Sequence, residues 1–160
     1  MEAMQESIKQ LFLSLTGNAW DAIEKIPQSG GDRIYFRIKQ GGDSYIATFN
    51  NNIRENETFI YFAGHFHSKG LPVPKVLVVS EDQKIYIQED VGSTSLLEVL
   101  EKEGKTERVY QLFQKSLKAL VQLQVKGDEG LDYSKCLTSK TFGKHAVLTD
   151  CLLYTSDAAD

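Results

Sequence analysis

A glycine-rich turn near residue 30 is the first segment whose composition suits a chemical role. It has the sequence Ser29-Gly30-Gly31-Asp32-Arg33 and comes directly before a stretch of alternating apolar residues. Because glycine has no side chain, the backbone of such a turn can approach a phosphate closely and offer it N–H groups. An ordinary hairpin turn has the same composition. The turn alone therefore leaves both interpretations open.

A carboxylate at residue 55 also calls for an explanation. Phe59, Phe62 and Phe66 recur at the spacing of one helix face, and Glu55 lies one turn earlier on that face. A carboxylate on a face that packs against the core needs a cation or hydrogen-bond donors. Glu55 is therefore a candidate binding residue, whereas Glu57 points away from this face.

The elements that position these residues follow from the spacing of the apolar side chains. Helical spacing predicts helices over 5–15, 53–68, 96–100 and 106–126, with one further helical turn within 140–148. A period of two begins near residue 20 and predicts strands over 34–38, 45–49, 75–79 and 84–88. Gly70 ends the second helix, and the prolines of Leu71-Pro72-Val73-Pro74 predict an extended connector. This pattern indicates the α+β class.

The composition excludes several other classes of protein. The 160 residues are 41% apolar and 25% charged, and no apolar run approaches the roughly 20 residues that span a bilayer. The net charge of −4 comes without a basic stripe, so we expect neither a nucleic-acid nor a membrane partner. Cys136 and Cys151 lack metal or redox spacing, and His65 and His67 face different directions on their helix. The amino terminus has no secretory signal, so a cytoplasmic protein is expected by default.

The order of elements resembles the amino-terminal lobe of the aminoglycoside phosphotransferases and of the wider choline and sugar kinase-like enzymes. The segment Gly70-Leu71-Pro72-Val73-Pro74-Lys75-Val76-Leu77 is similar to the family's link between its helix and fourth strand. The turn at 29–33 and the segment Gln88-Glu89-Asp90-Val91-Gly92 extend the resemblance over about residues 20–100. Gly130-Leu131-Asp132-Tyr133-Ser134-Lys135-Cys136 is similar to the entry into the family's second lobe.

This resemblance implies a kinase-like lobe over residues 1–92, with a mainly antiparallel sheet of about five strands and one packed helix. Residues 93–150 would begin a helical second lobe. The implied activity is transfer of phosphate from ATP, with Mg²⁺, to a hydroxyl of a sugar or aminoglycoside-like acceptor. The nucleotide-facing residues would be Ser29, Gly30, Gly31, Asp32, Arg33, Arg37, Ile46, Thr48, Glu55, Gln88, Glu89 and Asp90. Glu89 and Asp90 would contact adenine through their backbone, although a plain turn at the strand end is the alternative.

One residue departs from the family pattern. The helix glutamate, here Glu55, pairs in the family with a lysine of the third strand, but alignment of Tyr45-Ile46-Ala47-Thr48 puts Thr48 at that position. A hydroxyl cannot replace a cation beside a triphosphate. We propose Arg37 as the substitute, with Arg33 and Arg54 as alternatives. Weak nucleotide binding or a shifted register would also explain the departure.

The catalytic loop of the family is not found in the sequence. No histidine is followed two residues later by aspartate, and no asparagine occurs after residue 56. The catalytic aspartate and the magnesium ligands are therefore expected beyond residue 150. The alternatives are a non-catalytic nucleotide-binding module similar to a pseudokinase, and a small α+β interaction domain.

The last ten residues, 151–160, are expected not to belong to the natural protein. They are similar to one reading frame of a transposase-type sequencing adapter. We therefore expect a fragment whose natural sequence continues past Asp150, and we leave these residues out of the fold prediction.

Overall fold

The chain folds as an α+β protein around a five-stranded antiparallel sheet, as predicted. The computed structural model describes residues 2–27, 31–138, 140–141, 143–144 and 148. Within that part the elements are α1 (Glu2–Thr16), β1 (Ala22–Lys25), β2 (Ile34–Gln40), β3 (Asp43–Phe49), α2 (Ile53–Ser68), β4 (Val76–Val79), β5 (Ile85–Glu89), α3 (Leu96–Glu103), α4 (Glu107–Asp128) and a 3-10 turn (Tyr133–Lys135). The strand order is β1-β2-β3-β5-β4. Of the helical turn predicted within 140–148, residues 142 and 145–147 lie outside the described residues.

One face of the sheet forms the apolar core with α1. Successive residues of a strand point to opposite faces, so Phe36 and Ile38 of β2 share a face with Ala47 of β3. Ile8 and Phe12, one helical turn apart on α1, pack against this face and are fully buried. Each such apolar side chain contributes on the order of 2 kcal/mol through burial. This face therefore anchors the sheet.

The opposite face carries the polar residues, and we call it the site face. It consists of two rows of side chains on the three central strands, namely Tyr35, Thr48 and Tyr86, and Arg37, Ile46 and Gln88. Helix α2 covers part of it, with the ring of Phe59 stacked on that of Tyr86 at 5.0 Å between centroids. The residues that the resemblance places on β2, β3 and β5 toward a nucleotide thus share one face.

Local signals determine where the helices begin. The side chain of Asn52 accepts from the backbone N–H of Glu55 and so caps α2. Ser95 and Glu98 form a reciprocal capping box at the start of α3. Helix α4 continues through Gly127, although the sequence predicted its end near residue 126.

Helix α2 is also attached to the end of α4 and to the chain that follows it. The ring nitrogen Nε2 of His65 lies 2.8 Å from the carbonyl oxygen of Gly127. The hydroxyl of Tyr61 accepts from the backbone N–H of Asp132 at 2.8 Å. These contacts fix the orientation of α2, and hence of Glu55, relative to α4.

Candidate functional site

The ion pair between Arg33 and Glu55 stands at one end of the site face. Arg33 ends the glycine-rich turn, and its Nη2 donates to Oε1 of Glu55 in the first turn of α2. Both side chains are 28% exposed, so the pair is partly shielded from water. The guanidinium carbon also lies 6.0 Å from the ring centroid of Phe59, within range of a cation–π interaction. The partner that a carboxylate on this face requires is therefore present.

A second group holds the same carboxylate. Nδ2 of Asn50 donates to Oε2 of Glu55 at 2.8 Å, while Oδ1 of Asn50 accepts from the backbone N–H of Asn52 at 3.0 Å. Asn50 is buried, and its amide is turned so that both ends are used. Glu55 is thus held on one oxygen by a cation and on the other by an amide. The sequence gives no sign of this role for Asn50, because three consecutive asparagines at 50–52 are typical of a loop.

The structure corrects the proposed substitution for the missing lysine. Arg37 does not reach Glu55, because its Nε donates to Oδ2 of Asp90 at 2.6 Å. Arg33 is the arginine that pairs with Glu55, and Arg54 is exposed. The physical reason is position along β2. Arg33 precedes the strand at the end nearest α2, whereas Arg37 lies four residues further toward the opposite end of the sheet.

Thr48 occupies the site face between two tyrosines. It faces Tyr35 on β2 and Tyr86 on β5, and it is only 1% exposed. Its Oγ1 is buried and makes no hydrogen bond within the described residues. A short side chain at this position leaves space on the site face for a long cation from elsewhere.

The segment after β5 forms the other end of the site face. The backbone N–H of Glu89 donates to the carbonyl oxygen of Lys75 at 3.0 Å, so it is used within the sheet, between the end of β5 and the residue before β4. The Asp90 carboxylate turns inward to Arg37, Ser44 and the backbone N–H of Gly92. Within the described residues the N–H of Val91 has no hydrogen-bond acceptor. The N–H of Val91 is therefore available to a ligand, and the sequence gives no sign of this role.

Gln88 precedes this segment on the site face. Its Oε1 is buried and has no donor within the described part of the chain. Gln88 is opposite Ile46 on β3, and Ile46 is opposite Arg37 on β2. This row of side chains therefore has apolar Ile46 at its centre and, beside it, the Gln88 oxygen as an acceptor without a donor.

The glycine-rich turn is described only in part. Ser29 and Gly30 lie outside the described residues. Gly31 has φ +70°, a left-handed conformation that glycine adopts without strain, and both it and Asp32 are exposed. The structure thus brings Arg33, Glu55, Thr48, Ile46, Gln88, Arg37 and Asp90 to one face and leaves Asp32 in solvent.

The surroundings of Arg33 and of Asp90, at the two ends of the site face, favour the charged form of each side chain. Burial alone would lower the pKa of Arg33, but its interactions with Tyr35, Tyr86 and Glu55 outweigh that effect and raise the pKa. Burial likewise opposes ionisation of Asp90, yet hydrogen bonds from Arg37, Gly92 and Ser44 bring its pKa below the usual value. Burial raises the pKa of Tyr86, so this phenol remains neutral at physiological pH.

Two further properties concern the described residues as a whole. They contain no group of three or more His, Cys, Asp or Glu side chains arranged to hold a metal ion. Their helices include none with the length and apolar character needed to cross a membrane. His65 and Cys136 are half-buried, and His145 and Cys151 lie outside the described residues.

Comparison with known proteins gives matches among solved structures alone. No model of a protein family and no curated protein matches the sequence. The chain is similar to the apo form of a thermostable mutant of aminoglycoside phosphotransferase APH(4)-Ia, with a TM-score of 0.46 and 20% identity, over 59% of this chain and 33% of that one. It is similar to another structure of APH(4)-Ia with a TM-score of 0.45 and 20% identity, over 62% of this chain and 34% of that one.

A third similar structure is a ternary complex of a thermostable APH(4)-Ia mutant with AMP-PNP and hygromycin B. Its TM-score is 0.44 and its identity 23%, over 61% of this chain and 33% of that one. The chain therefore spans about a third of the length of the solved structures it matches.

Proposed function

We propose that this chain is the nucleotide-binding part of a kinase-like phosphotransferase. Residues 1–92 form the nucleotide-facing lobe, and residues 93–150 begin a helical second lobe. The whole protein would transfer the γ-phosphoryl group of ATP to a hydroxyl of a small molecule such as a sugar or an aminoglycoside. The observation that carries the proposal is the ion pair between Arg33 and Glu55, which stands beside the glycine-rich turn at one end of the site face.

The end of the site face near Arg33 suits phosphate groups. Arg33 is a permanent cation with several N–H donors, and its Nε is buried without an acceptor in the described chain. Glu55 and Asn50 hold this arginine from behind, so its charge is oriented before a ligand arrives. Gly31 allows the backbone of the turn to approach closely. These are the properties that a phosphate-binding site requires.

The far end of the site face suits a purine base. Ile46 provides an apolar surface, the buried Oε1 of Gln88 provides an acceptor, and the N–H of Val91 provides a donor. A base with both an amino group and a ring nitrogen would use both polar groups. The N–H of Glu89 already donates to Lys75, so it is not available to adenine. In this proposal the N–H of Val91 donates to the base instead.

Arg33 takes the role that a strand lysine has in the family resemblance. Thr48 is too short to reach Glu55, and its small volume leaves room for the guanidinium that comes from the adjacent turn. The positive charge is therefore moved from the third strand to the start of the second. Arginine offers a phosphate two parallel hydrogen bonds where lysine offers a single charged centre.

ATP supplies the phosphoryl group, and Mg²⁺ neutralises charge on its phosphates. The described residues bind and orient the nucleotide in this proposal, and the catalytic aspartate and magnesium ligands belong to sequence beyond residue 150. We expect the 160-residue chain to show no phosphotransferase turnover with any acceptor. Turnover by the purified chain would contradict the assignment of catalysis to a missing segment.

Calorimetric titration with AMP-PNP tests the binding proposal. The wild-type chain should bind the analogue, and Arg33→Met should weaken binding at least about tenfold, which corresponds to loss of one charge-assisted contact. Arg54→Met, which removes an exposed arginine outside the site face, is the matched control and should bind like the wild type. Absence of binding in the wild type, and in a chain extended past residue 150, would favour the small α+β interaction domain.

A non-catalytic nucleotide-binding module remains the second candidate, and Thr48 at the lysine position favours it. The sequence that naturally follows residue 150 discriminates between the two. An aspartate-containing catalytic loop there supports the phosphotransferase. Its absence, with binding of AMP-PNP retained, supports the non-catalytic module.

A further inference from the structure

A buried carboxylate ties the segment after β5 to the centre of the sheet. The Asp90 side chain is 3% exposed, and its oxygens accept from Nε and Nη2 of Arg37 at 2.6 and 3.3 Å. They also accept from Oγ of Ser44 at 2.9 Å and from the backbone N–H of Gly92 at 2.9 Å. Four donors therefore satisfy this carboxylate and leave none of its hydrogen-bonding capacity for a ligand.

The donors come from three different parts of the fold. Arg37 belongs to β2, Ser44 begins β3, and Gly92 lies in the connector between β5 and α3. The hydrogen bond from Gly92 closes a small turn around Val91, while the other bonds fix that turn to two strands. The connector at 90–92 is consequently held against the end of the sheet by side chains.

The hydrogen bonds of the Asp90 carboxylate lie far from the Arg33 end of the site face. Arg33 and Arg37 are four residues apart along a strand that rises about 3.3 Å per residue, which separates them by about 13 Å. A cavity of about 480 Å³ adjoins these hydrogen bonds and is lined in part by Arg37, Ser44, Asp90 and Gly92. The two charged pairs therefore lie at opposite ends of the site face.

We propose that Asp90 is a positioning residue that acts through Arg37 and Ser44 to hold the N–H of Val91 where a purine base binds. The inference rests on the proposed function, because it assigns the base end of that same site. Arg37 is accordingly not a phosphate contact. Its guanidinium is committed to Asp90, and its replacement affects recognition of the base and leaves recognition of the phosphates unchanged.

Two probes separate the ends of the site, namely ATP and inorganic tripolyphosphate, which lacks the base and ribose. Their dissociation constants are measured by calorimetry for the wild-type chain, Asp90→Asn, Arg37→Met and Arg37→Lys. Asp90→Asn and Arg37→Met should weaken ATP binding about tenfold, while the tripolyphosphate affinity should change less than about twofold. Arg37→Lys keeps the charge and should recover part of the ATP affinity.

Two further variants calibrate the comparison. Arg108→Met removes an exposed cation of α4 that pairs with Glu103 away from the site face, so it should leave the ratio of the two dissociation constants unchanged. Arg33→Met should weaken both probes by a similar factor. A merely structural role of Asp90 would lower the melting temperature without changing the ratio.

The outcomes distinguish the two proposals. Equal weakening of both probes by Arg37→Met would make Arg37 a phosphate contact and overturn the inference. An unchanged ratio in folded Asp90→Asn would also overturn it, while the proposed function would stand. A wild-type chain that binds neither probe would remove the proposed function together with the inference. If circular dichroism shows that Asp90→Asn and Arg37→Met are unfolded, the same ratio is measured for Ser44→Ala, which removes one hydrogen bond to the Asp90 carboxylate. Ser44→Ala should then weaken ATP binding more than tripolyphosphate binding, and an unchanged ratio would overturn the inference.

Discussion

Arg33 donates to the carboxylate of Glu55, which lies 22 residues further along the chain, and so joins the glycine-rich turn to helix α2. The pair links two segments that no backbone hydrogen bond of the sheet connects. Since Asn50 holds the second oxygen of the carboxylate, Glu55 cannot turn away from Arg33 without losing that bond as well. The orientation of α2 and the position of the arginine are therefore coupled.

A double-mutant cycle on Arg33→Met and Glu55→Gln should measure this coupling. We expect a coupling free energy of about 1 kcal/mol or somewhat more, because the pair is partly buried and charge-assisted. The measurement is urea denaturation of the four proteins. The control cycle on Lys39→Met and Glu24→Gln concerns an exposed pair and should give less than about 0.5 kcal/mol. Equal coupling in the two cycles would contradict a special role for the Arg33 pair.

Asn50→Asp should destabilise the chain strongly, because it places a second carboxylate against Glu55 in a buried position. We expect a loss of about 2–4 kcal/mol in the free energy of unfolding at pH 7. The loss should shrink as the pH falls toward about 4, since protonation of one carboxyl removes the repulsion and restores a donor. Asn51→Asp is the matched control, as Asn51 is exposed, and should change stability by less than about 0.5 kcal/mol.

The free energy of unfolding should depend on pH through the hydrogen bonds that Asp90 accepts. Its pKa is lower in the folded chain than the usual 3.8, so the folded state favours the ionised carboxylate. The stabilisation is therefore fully present above about pH 5 and is lost as the pH falls through the folded pKa, below about pH 4. The difference in unfolding free energy between the wild type and Asp90→Asn should be constant from pH 5 to 8 and decline in acid. In an Arg37→Met background this decline should be smaller.

The α+β class and most helix and strand positions could be predicted because each depends on local spacing. The alternation of Ile34, Phe36 and Ile38 with polar residues identifies a strand and its buried face in any register. The need of Glu55 for a partner was likewise evident from its own helix. These predictions required only neighbours along the chain.

The identity of that partner could not be predicted in the same way. Arg33 and Arg37 differ by four positions, and only the packing of α2 against one end of the sheet selects Arg33. Ser44 gave no signal either, since its role comes from Asp90, 46 residues further along the chain. Asn50 lies only five residues from Glu55, but its contact depends on how the loop between them turns, which its composition does not determine. Long-range packing and loop conformation are therefore what the sequence alone did not supply.

Two glycines in helices should respond oppositely to alanine. A Cβ added to Gly127 of α4 would lie 2.9 Å from Cε1 of Phe66, whereas one added to Gly64 of α2 meets no atom within 4 Å. Alanine favours an exposed helix by about 0.5–1 kcal/mol, so Gly64→Ala should stabilise the chain by that amount. Gly127→Ala should instead destabilise it by about 1–3 kcal/mol, since the Phe66 ring must move. Chemical denaturation of both variants checks the sign, and stabilisation by Gly127→Ala would show that the ring yields easily.

Helix α4 exposes an apolar face that should make the isolated chain self-associate. Leu117 is 61% exposed and Leu120 50%, and they lie on one side of the helix with Phe113 and Val121. An apolar stripe of this kind promotes association at high concentration. Replacing Leu117 and Leu120 together by glutamine should reduce light scattering and binding of an apolar dye, with little change in melting temperature.

Leu112→Gln is the control on the half-buried side of α4, and it should lower the melting temperature, because a polar group there loses packing without gaining a partner. Unchanged scattering in the double variant would show that another surface drives the association.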